Sequence, residues 1–397
     1  MITESKTGKI VALRDLWKAA IKVNASAAMW RLPASSSVHF LVDFSNTPVK
    51  GRLNLQTKEP GFAVSPFLNP EGNESIYLKA DLHMTFGGSR DKIEESQNVP
   101  ASFWSIVNGQ KESASIPYHL NIRPDTKISG EKDHFIRMVK NGIRAIECGK
   151  FAKVVMARTL DAPLIKNFDI VNQFCRLEKA HPTAFINLVS MSGWGTWIGA
   201  SPELLVETLG NRNFRTVSLA GTQPFPEDGN LKDAAWNQKE IEEQAMVSRY
   251  VIEQFKTIRL REFEESGPRT VRAGSMIHLK TEYMVDMEDT NFPELGTVML
   301  HLLHPTSSVC GMPKFPALQF IVANEHLNRE FYSGFLGPVN INGNNQLYVN
   351  LRCMQILRTR AVMYAGAGIT HDSDPEKEWD ETALKCQTLL DVINGDS

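Results

Sequence analysis

Between Thr183 and Gly221 the chain offers four short apolar segments in quick succession, AFINLVSM, GTWIGAS, ELLVETL and FRTVSLAG, parted only by SGWG, SP and GNRN. Connections this short cannot serve parallel neighbours, which need a long crossover, whereas antiparallel strands are joined by tight turns. The stretch therefore predicts an antiparallel meander. Strand-like runs recur on either side of it: SVHFLVDF at 37–44, the run around GFAVSPF, SIYLKADLHMTF at 75–86 as one half-buried strand, KVVMARTL, QLYVNLRCMQIL and AVMYAGAGI.

Helical spacing marks other segments. The N-terminal stretch reads as an amphipathic helix, because Arg14, Asp15 and Lys18 interrupt its apolar run. EKDHFIRMVKNGIRAIECGK carries Phe135, Ile136, Val139, Ile143 and Ile146 on one face, with Gly149 placed as a C-cap. Further helices are expected between Asp233 and Phe263, between Pro316 and Arg329, and over EKEWDETALKCQTLLDVI, where Leu384, Leu389, Leu390 and Ile393 form the apolar stripe. The fold class is α+β, antiparallel sheets with helices packed outside. No repeat or linker divides residues 131–397, which read as the core. Residues 1–130 form a less distinctive N-terminal part of the same structural domain, with the polar, turn-rich stretch 87–129 as a long mobile connection.

A chain of 397 residues with 42% hydrophobic content can bury a substantial core. Its net charge of −2 gives no electrostatic case for nucleic acid or an anionic membrane as a partner. The five cysteines form no CxxC pair, which fits reduced thiols in the cytoplasm, and no signal peptide or membrane-spanning run is expected.

Two predicted helices share a pattern. Glu378 and Glu381 stand three residues apart on the last one, with Lys385 four further on, and Glu240 and Glu243 repeat that spacing in WNQKEIEEQAMVSRYVIEQF. Residues at i and i+3 share a helix face, so each pair of carboxylates points one way. One such pair alone reads as a solvated helix start, with Lys385 paired to Glu381 along its own helix. Two together can also surround a hard divalent cation such as magnesium, which takes oxygen ligands.

Ten segments, in order, resemble the chorismate-utilising enzymes: KVVMAR, GASPELLV, SLAGTQP, KEIEEQAMV, HLKT, HPTSSVCGMPK, REFYSGFLG, LRCMQI, YAGAGI and EWDETALK. They cover about the last two thirds of the chain, and the pattern is most similar to the isochorismate synthases of that family, of menaquinone or siderophore type. The resemblance implies a large α/β/β/α sandwich with the active site between two antiparallel sheets. It implies chorismate and water as substrates and Mg2+ as cofactor, in a protein that is a monomer or weak homodimer. Glu243 and Glu381 would be direct metal ligands, with Glu240 and Glu378 holding the water shell.

In the same resemblance Lys153 is the base that activates water for attack at C2, and Glu203 the acid that protonates the departing C4 hydroxyl. A lysine can act so near neutral pH only where its surroundings disfavour the charged form, and a glutamate must be kept neutral by an enclosed site. Arg352 would meet the enolpyruvyl carboxylate, with the glycine loop Gly366, Ala367 and Gly368 close against it and Lys385 adding positive charge. Ala220, Gly221, Thr222, Thr306 and Tyr332 complete the substrate site. His278 reads equally as a ring-side group or as a structural histidine at a strand end.

Relatives that aminate chorismate usually have glutamine at the place of Lys153, and aminodeoxychorismate synthases use a lysine at the place of Ala220. Two departures stand out: Gln244 replaces the usual histidine after Glu243, and Ser307 and Ser308 replace proline and alanine after HPT. Two alternatives stay open: a salicylate synthase that eliminates pyruvate in the same site, and a non-catalytic chorismate-binding paralogue.

Overall fold

Pro202 has no backbone N–H to give to a β-ladder, and there the meander changes sheet. In the computed structural model, which describes residues 2–4, 10–68, 74–87, 92–109, 116–121, 132–210, 212–225, 231, 234–273 and 276–394, every strand pairing is antiparallel. The first sheet has ten strands, in the order Gly311–Met312, Lys153–Pro163, Arg360–Ile369, Cys353–Ile356, Gly195–Ser201, Phe185–Met191, Ser26–Arg31, Val38–Asp43, Leu82–Phe86, Lys92–Glu95. The second has nine: Glu264–Ala273, Met276–Asp286, Asn213–Pro224, Leu204–Leu209, Asn344–Val349, Phe335–Val339, Gly61–Ser65, Glu74–Lys79, Val49–Arg52.

The expected meander is thus two hairpins, one in each sheet. The same happens at 75–86. What reads as one strand is Glu74–Lys79 in the second sheet and Leu82–Phe86 in the first, because the chain crosses at Ala80 and Asp81, where Asp81 Oδ2 accepts from Phe44 N at 2.9 Å. The sheets meet face to face through Trp30, Phe62, Phe185, Trp197, Tyr348 and Tyr364, with Phe185 stacked on Tyr348 at 4.2 Å.

Eight helices cover the outer faces among the described residues: α1 Leu13–Lys22, α2 Ala101–Gly109, α3 Lys132–Glu147, α4 Ile170–Ala180, α5 Gln238–Thr257, α6 Leu295–Leu303, α7 Lys314–Asn324 and α8 Pro375–Asn394. The stretch 87–129 is not one long connection: it contains the edge strand Lys92–Glu95 and α2, whose Phe103 is fully buried beside α1. Residues 88–91, 110–115 and 122–129 of the stretch lie outside the described residues. Gly149 adopts φ +71° and its N–H closes α3 on Ile146 O, as a C-cap does.

Two helices matter most for function. α5 lies along Asn213–Pro224 of the second sheet and α8 along Arg360–Ile369 of the first. Asp374 Oδ1 accepts from the N–H groups of Glu376 and Lys377, and Pro375 suits the first helical position of α8. Cys386, Leu389, Val392 and Ile393 bury the inner face of α8, whereas Leu384 is exposed.

Candidate active site

Glu203 follows the sheet-changing proline, so the crossover itself carries it into the gap between the sheets. It is 3% exposed. Its Oε1 accepts from Ser308 Oγ at 2.7 Å and from Thr306 Oγ1 at 3.4 Å. Burial pushes its pKa up to about 7, against the Ser308 hydrogen bond and the charge of Lys153, which pull the other way. A carboxyl in that state can give up a proton near neutral pH.

Lys153 opens the strand Lys153–Pro163 and is 1% exposed. Its Nζ lies 2.7 Å from Glu243 Oε1 on α5. Burial would raise the pKa of Glu243, but the charge and hydrogen bond of Lys153, with Lys385 and Lys239 beyond, hold it below the ordinary value. Gly368, on the neighbouring strand, makes room for this pair: a Cβ there would stand 2.8 Å from Glu243 Oε1 and 3.0 Å from Lys153 Cε.

The other acids have lysine or backbone partners. Lys385 Nζ is 2.6 Å from Glu381 Oε1 and donates to Gly366 O at 2.8 Å. Lys239 Nζ is 2.8 Å from Glu378 Oε1, joining α5 to α8. Burial works against the charge of Lys239, yet Glu378 at contact and the charges of Glu381 and Glu243 hold its pKa above the ordinary value. Burial and the neighbouring Glu381 raise the pKa of Glu378. Glu240 is turned away, its Oε2 accepting from Asn237 N in a capping box at the start of α5.

Among the described residues no group of three or more His, Cys, Asp or Glu side chains stands close enough, as placed, to hold a metal ion. The donor set still suits a hard divalent cation. Glu243 and Glu381 line the same cavity from different helices, offer only oxygen, and already have cationic partners.

That cavity encloses about 90 Å³ and is walled by both sheets, α5 and α8. A roomier one of about 590 Å³ lies elsewhere, against Phe67, Trp194 and Phe331, but Lys153, Glu203 and the paired acids are not in its walls. On the cavity's second-sheet side the ladder shifts register between Ala220 and Thr222, and Gly221 sits in the bulge at φ +66°. His278 Nδ1 is 2.9 Å from Gly221 O. A carbonyl only accepts, so Nδ1 carries the hydrogen and Nε2 is left as an acceptor. Burial first, then Arg352, pushes the pKa of His278 down to about 3, so the ring is neutral. His278 Nε2 and Arg352 Nη1 are buried and have no hydrogen-bond partner among the described residues. An unpaired acceptor and an unpaired cationic donor in one cavity wall fit a ligand bearing both hydroxyl and carboxylate groups.

The Chorismate binding enzyme family matches the chain over residues 2–394. This chain belongs to the chorismate-binding enzymes. It is similar to isochorismate synthase EntC of Escherichia coli, at 28% identity over 304 residues, covering 74% of this chain and 76% of that protein. In fold it resembles MenF, the menaquinone-specific isochorismate synthase from Escherichia coli, with a TM-score of 0.75 at 20% identity over 95% of this chain and 91% of that one. DhbC of Bacillus anthracis is also similar, with a TM-score of 0.70 at 22% identity over 96% and 99%.

In this chorismate-binding enzyme the structure does not bring every expected residue to the cavity wall. Ala220, Gly221, Thr222, His278, Tyr332, Arg352, Gly366, Gly368 and Lys385 line it together with Glu203, Glu243 and Glu381. Ala367 does not: it lies on the strand Arg360–Ile369, where the expected loop would be. Alternation along the strand turns its side chain into the helix-side core with Met156, between two glycines that face the cavity. Thr306 stands behind Ser308, its hydroxyl 2.6 Å away, and Ser308 takes the wall position. Lys153, Glu240 and Glu378 lie outside the wall as well.

Several supporting residues escape a reading confined to motifs. Arg329 donates to Val155 O at 2.7 Å and to Val309 O at 2.8 Å and pairs with Glu325, whose Oε2 accepts from Ala157 N at 2.9 Å. This buried pair ties the strand of Lys153 to the segment of Ser308. The i,i+4 spacing of Glu325 and Arg329 was its available signal. Arg158 Nε donates to Thr382 Oγ1 at 2.6 Å and its guanidinium lies 3.7 Å over the Trp379 ring, clamping α8 to the same strand. Gln244, the departure beside Glu243, donates to Ser218 Oγ at 2.9 Å and Thr281 Oγ1 at 3.0 Å and so serves the helix–sheet contact. No helix among the described residues is long and apolar enough to cross a membrane.

Proposed function

We propose that this enzyme is an isochorismate synthase that uses magnesium to isomerise chorismate to isochorismate. The observation that carries the reading is that Glu203, buried with its pKa pushed up to about 7, shares one small cavity wall with Glu243, behind which the buried Lys153 stands 2.7 Å away. Glu243 and Glu381 would hold the metal, with Glu378 behind them. When bound, magnesium supplies positive charge to the ring carboxylate of chorismate.

Lys153, once it has released its own proton, takes a proton from the water that adds at C2. As that C–O bond forms, the double bonds shift around the ring and the C4 hydroxyl leaves, taking its proton from Glu203. One water enters and one departs, so the net change is an isomerisation, and the proton returns from lysine to glutamate through solvent. Arg352 Nη1 binds the enolpyruvyl carboxylate, and Gly366 and Gly368 put no side chain into the wall beside it. His278 Nε2 accepts from a substrate hydroxyl and holds the ring in place. Ala220 carries no amine at the place where a nucleophilic lysine would stand, which fits a water nucleophile and not a covalent lysine intermediate.

Chromatography of the product formed from chorismate and magnesium tests the proposal. Isochorismate alone is expected. Salicylate with one equivalent of pyruvate would instead identify a salicylate synthase, and unchanged chorismate a binding paralogue.

A further inference from the structure

Ser308 and Glu203 share the cavity wall, and their contact has a direction. Ser308 Oγ is 2.7 Å from Glu203 Oε1, while Thr306 Oγ1 is 2.6 Å from Ser308 Oγ and 3.4 Å from the same carboxyl oxygen. A hydroxyl has a single hydrogen to give. If Ser308 gives its hydrogen to Glu203, the short contact behind it must be Thr306 donating to Ser308, so the chain runs from Thr306 through Ser308 to Oε1. Among the described residues, both hydroxyls that approach this carboxyl do so at Oε1, and none approaches Oε2. An oxygen that accepts the Ser308 hydrogen is not the one carrying the acid's own hydrogen.

We propose that Ser308 is a positioning residue that keeps the transferable proton of Glu203 on Oε2. Thr306 aligns the Ser308 hydroxyl from behind. The inference rests on the reading of Glu203 as general acid. It gives a role to a serine that departs from the alanine of the chorismate-utilising pattern. After the proton has left, the same hydroxyl stabilises the carboxylate by a charge-assisted hydrogen bond.

Charge around Glu203 comes chiefly from Lys153 on the strand Lys153–Pro163, which opposes the effect of burial together with Ser308 and Thr306. Glu243 from α5, His278 from the second sheet, Arg352, and Glu381 and Lys385 from α8 also face the cavity, as do the phenols of Tyr332 and Tyr364. Ser308→Ala alters none of these charges. It removes one donor to the ionised form, which moves the carboxyl further up.

The experiment compares pH profiles of the parent, Ser308→Ala, Ser308→Thr and Glu203→Gln, with infrared difference spectra of the protonated carboxyl assigned through Glu203→Gln. Ser308→Ala is expected to move the alkaline limb up by about half to one pH unit, to lower kcat about ten-fold, and to raise the carboxyl C=O frequency. Ser308→Thr, which keeps the hydroxyl, restores all three. If Glu203→Gln is inactive while Ser308→Ala keeps the parent limb, turnover and carboxyl band, the role of Ser308 is wrong and that of Glu203 stands. If Glu203→Gln turns over normally, the acid assignment fails and the positioning role fails with it.

Discussion

Lys153 Nζ and Glu243 Oε1 stand 2.7 Å apart, a contact between residues 90 positions apart in sequence that joins the proposed base to a proposed metal ligand. With Lys153 buried, neither charge can be removed without leaving the other poorly compensated. Base and metal site therefore form one unit, and changes at either should be felt at both.

Gly368 tests that unit without altering a charge. Gly368→Ala would push a methyl group to 2.8 Å from Glu243 Oε1 and should lower turnover by ~100-fold or more. Gly109→Ala, where nothing lies within 4 Å, serves as the control and should match the parent. Steady-state rates with circular dichroism as a check on folding decide the matter.

Lys153→Gln removes the base and leaves the ring-binding wall in place. Isochorismate formation should fall by ~10²- to 10⁴-fold, the usual worth of a positioned acid or base. In concentrated ammonium a trace of aminated product should form, since ammonia needs no base. Parent-level isochorismate production would make Lys153 a structural residue.

Chelation should abolish turnover, and added magnesium should restore it. Glu243→Ala and Glu381→Ala should each be inactive at any magnesium concentration while keeping the parent's circular dichroism spectrum. Full activity in excess chelator would remove the metal from the reaction altogether.

Glu203 links activity to stability. Its folded pKa is about 7, above the ordinary carboxylate value, so the unfolded chain ionises first as pH rises. Stability present below pH 4 is then lost between roughly pH 4.5 and 7, because ionising the buried group in the folded state is costly. Glu203→Gln should relieve that loss: by urea unfolding it should match the parent at pH 4 and exceed it by about 3 kcal/mol at pH 8. The same variant should bind chorismate with magnesium but turn it over at least ~100-fold more slowly.

His278 is neutral throughout the working range, with its pKa pushed down to about 3. Substitution by alanine should therefore lower kcat/KM by ~10-fold or more while leaving both limbs of the pH profile where they were. A displaced acid limb in His278→Ala would show that the histidine titrates in catalysis.

Sequence by itself determined the antiparallel, strand-rich character of this protein, because tight turns such as SGWG and GNRN allow nothing else. It also determined the helices of the paired acids: apolar spacing is a local signal, and α5 and α8 fall where that signal puts them. Only the tertiary structure decided that ELLVETL and GTWIGAS belong to different sheets, since a turn of the same length can serve a hairpin or a crossover. It decided as well that Ala367 faces away from the cavity while its glycine neighbours face into it, because strand alternation gives two faces and packing chooses between them. The partners of the acids were the least legible. Glu243 with Lys153, Glu378 with Lys239, and Glu203 with Ser308 are pairs 90, 139 and 105 residues apart. No local pattern encodes such contacts; they exist because two sheets and two helices close on the same small volume, where burial gives each ionisable group a strong need for a partner.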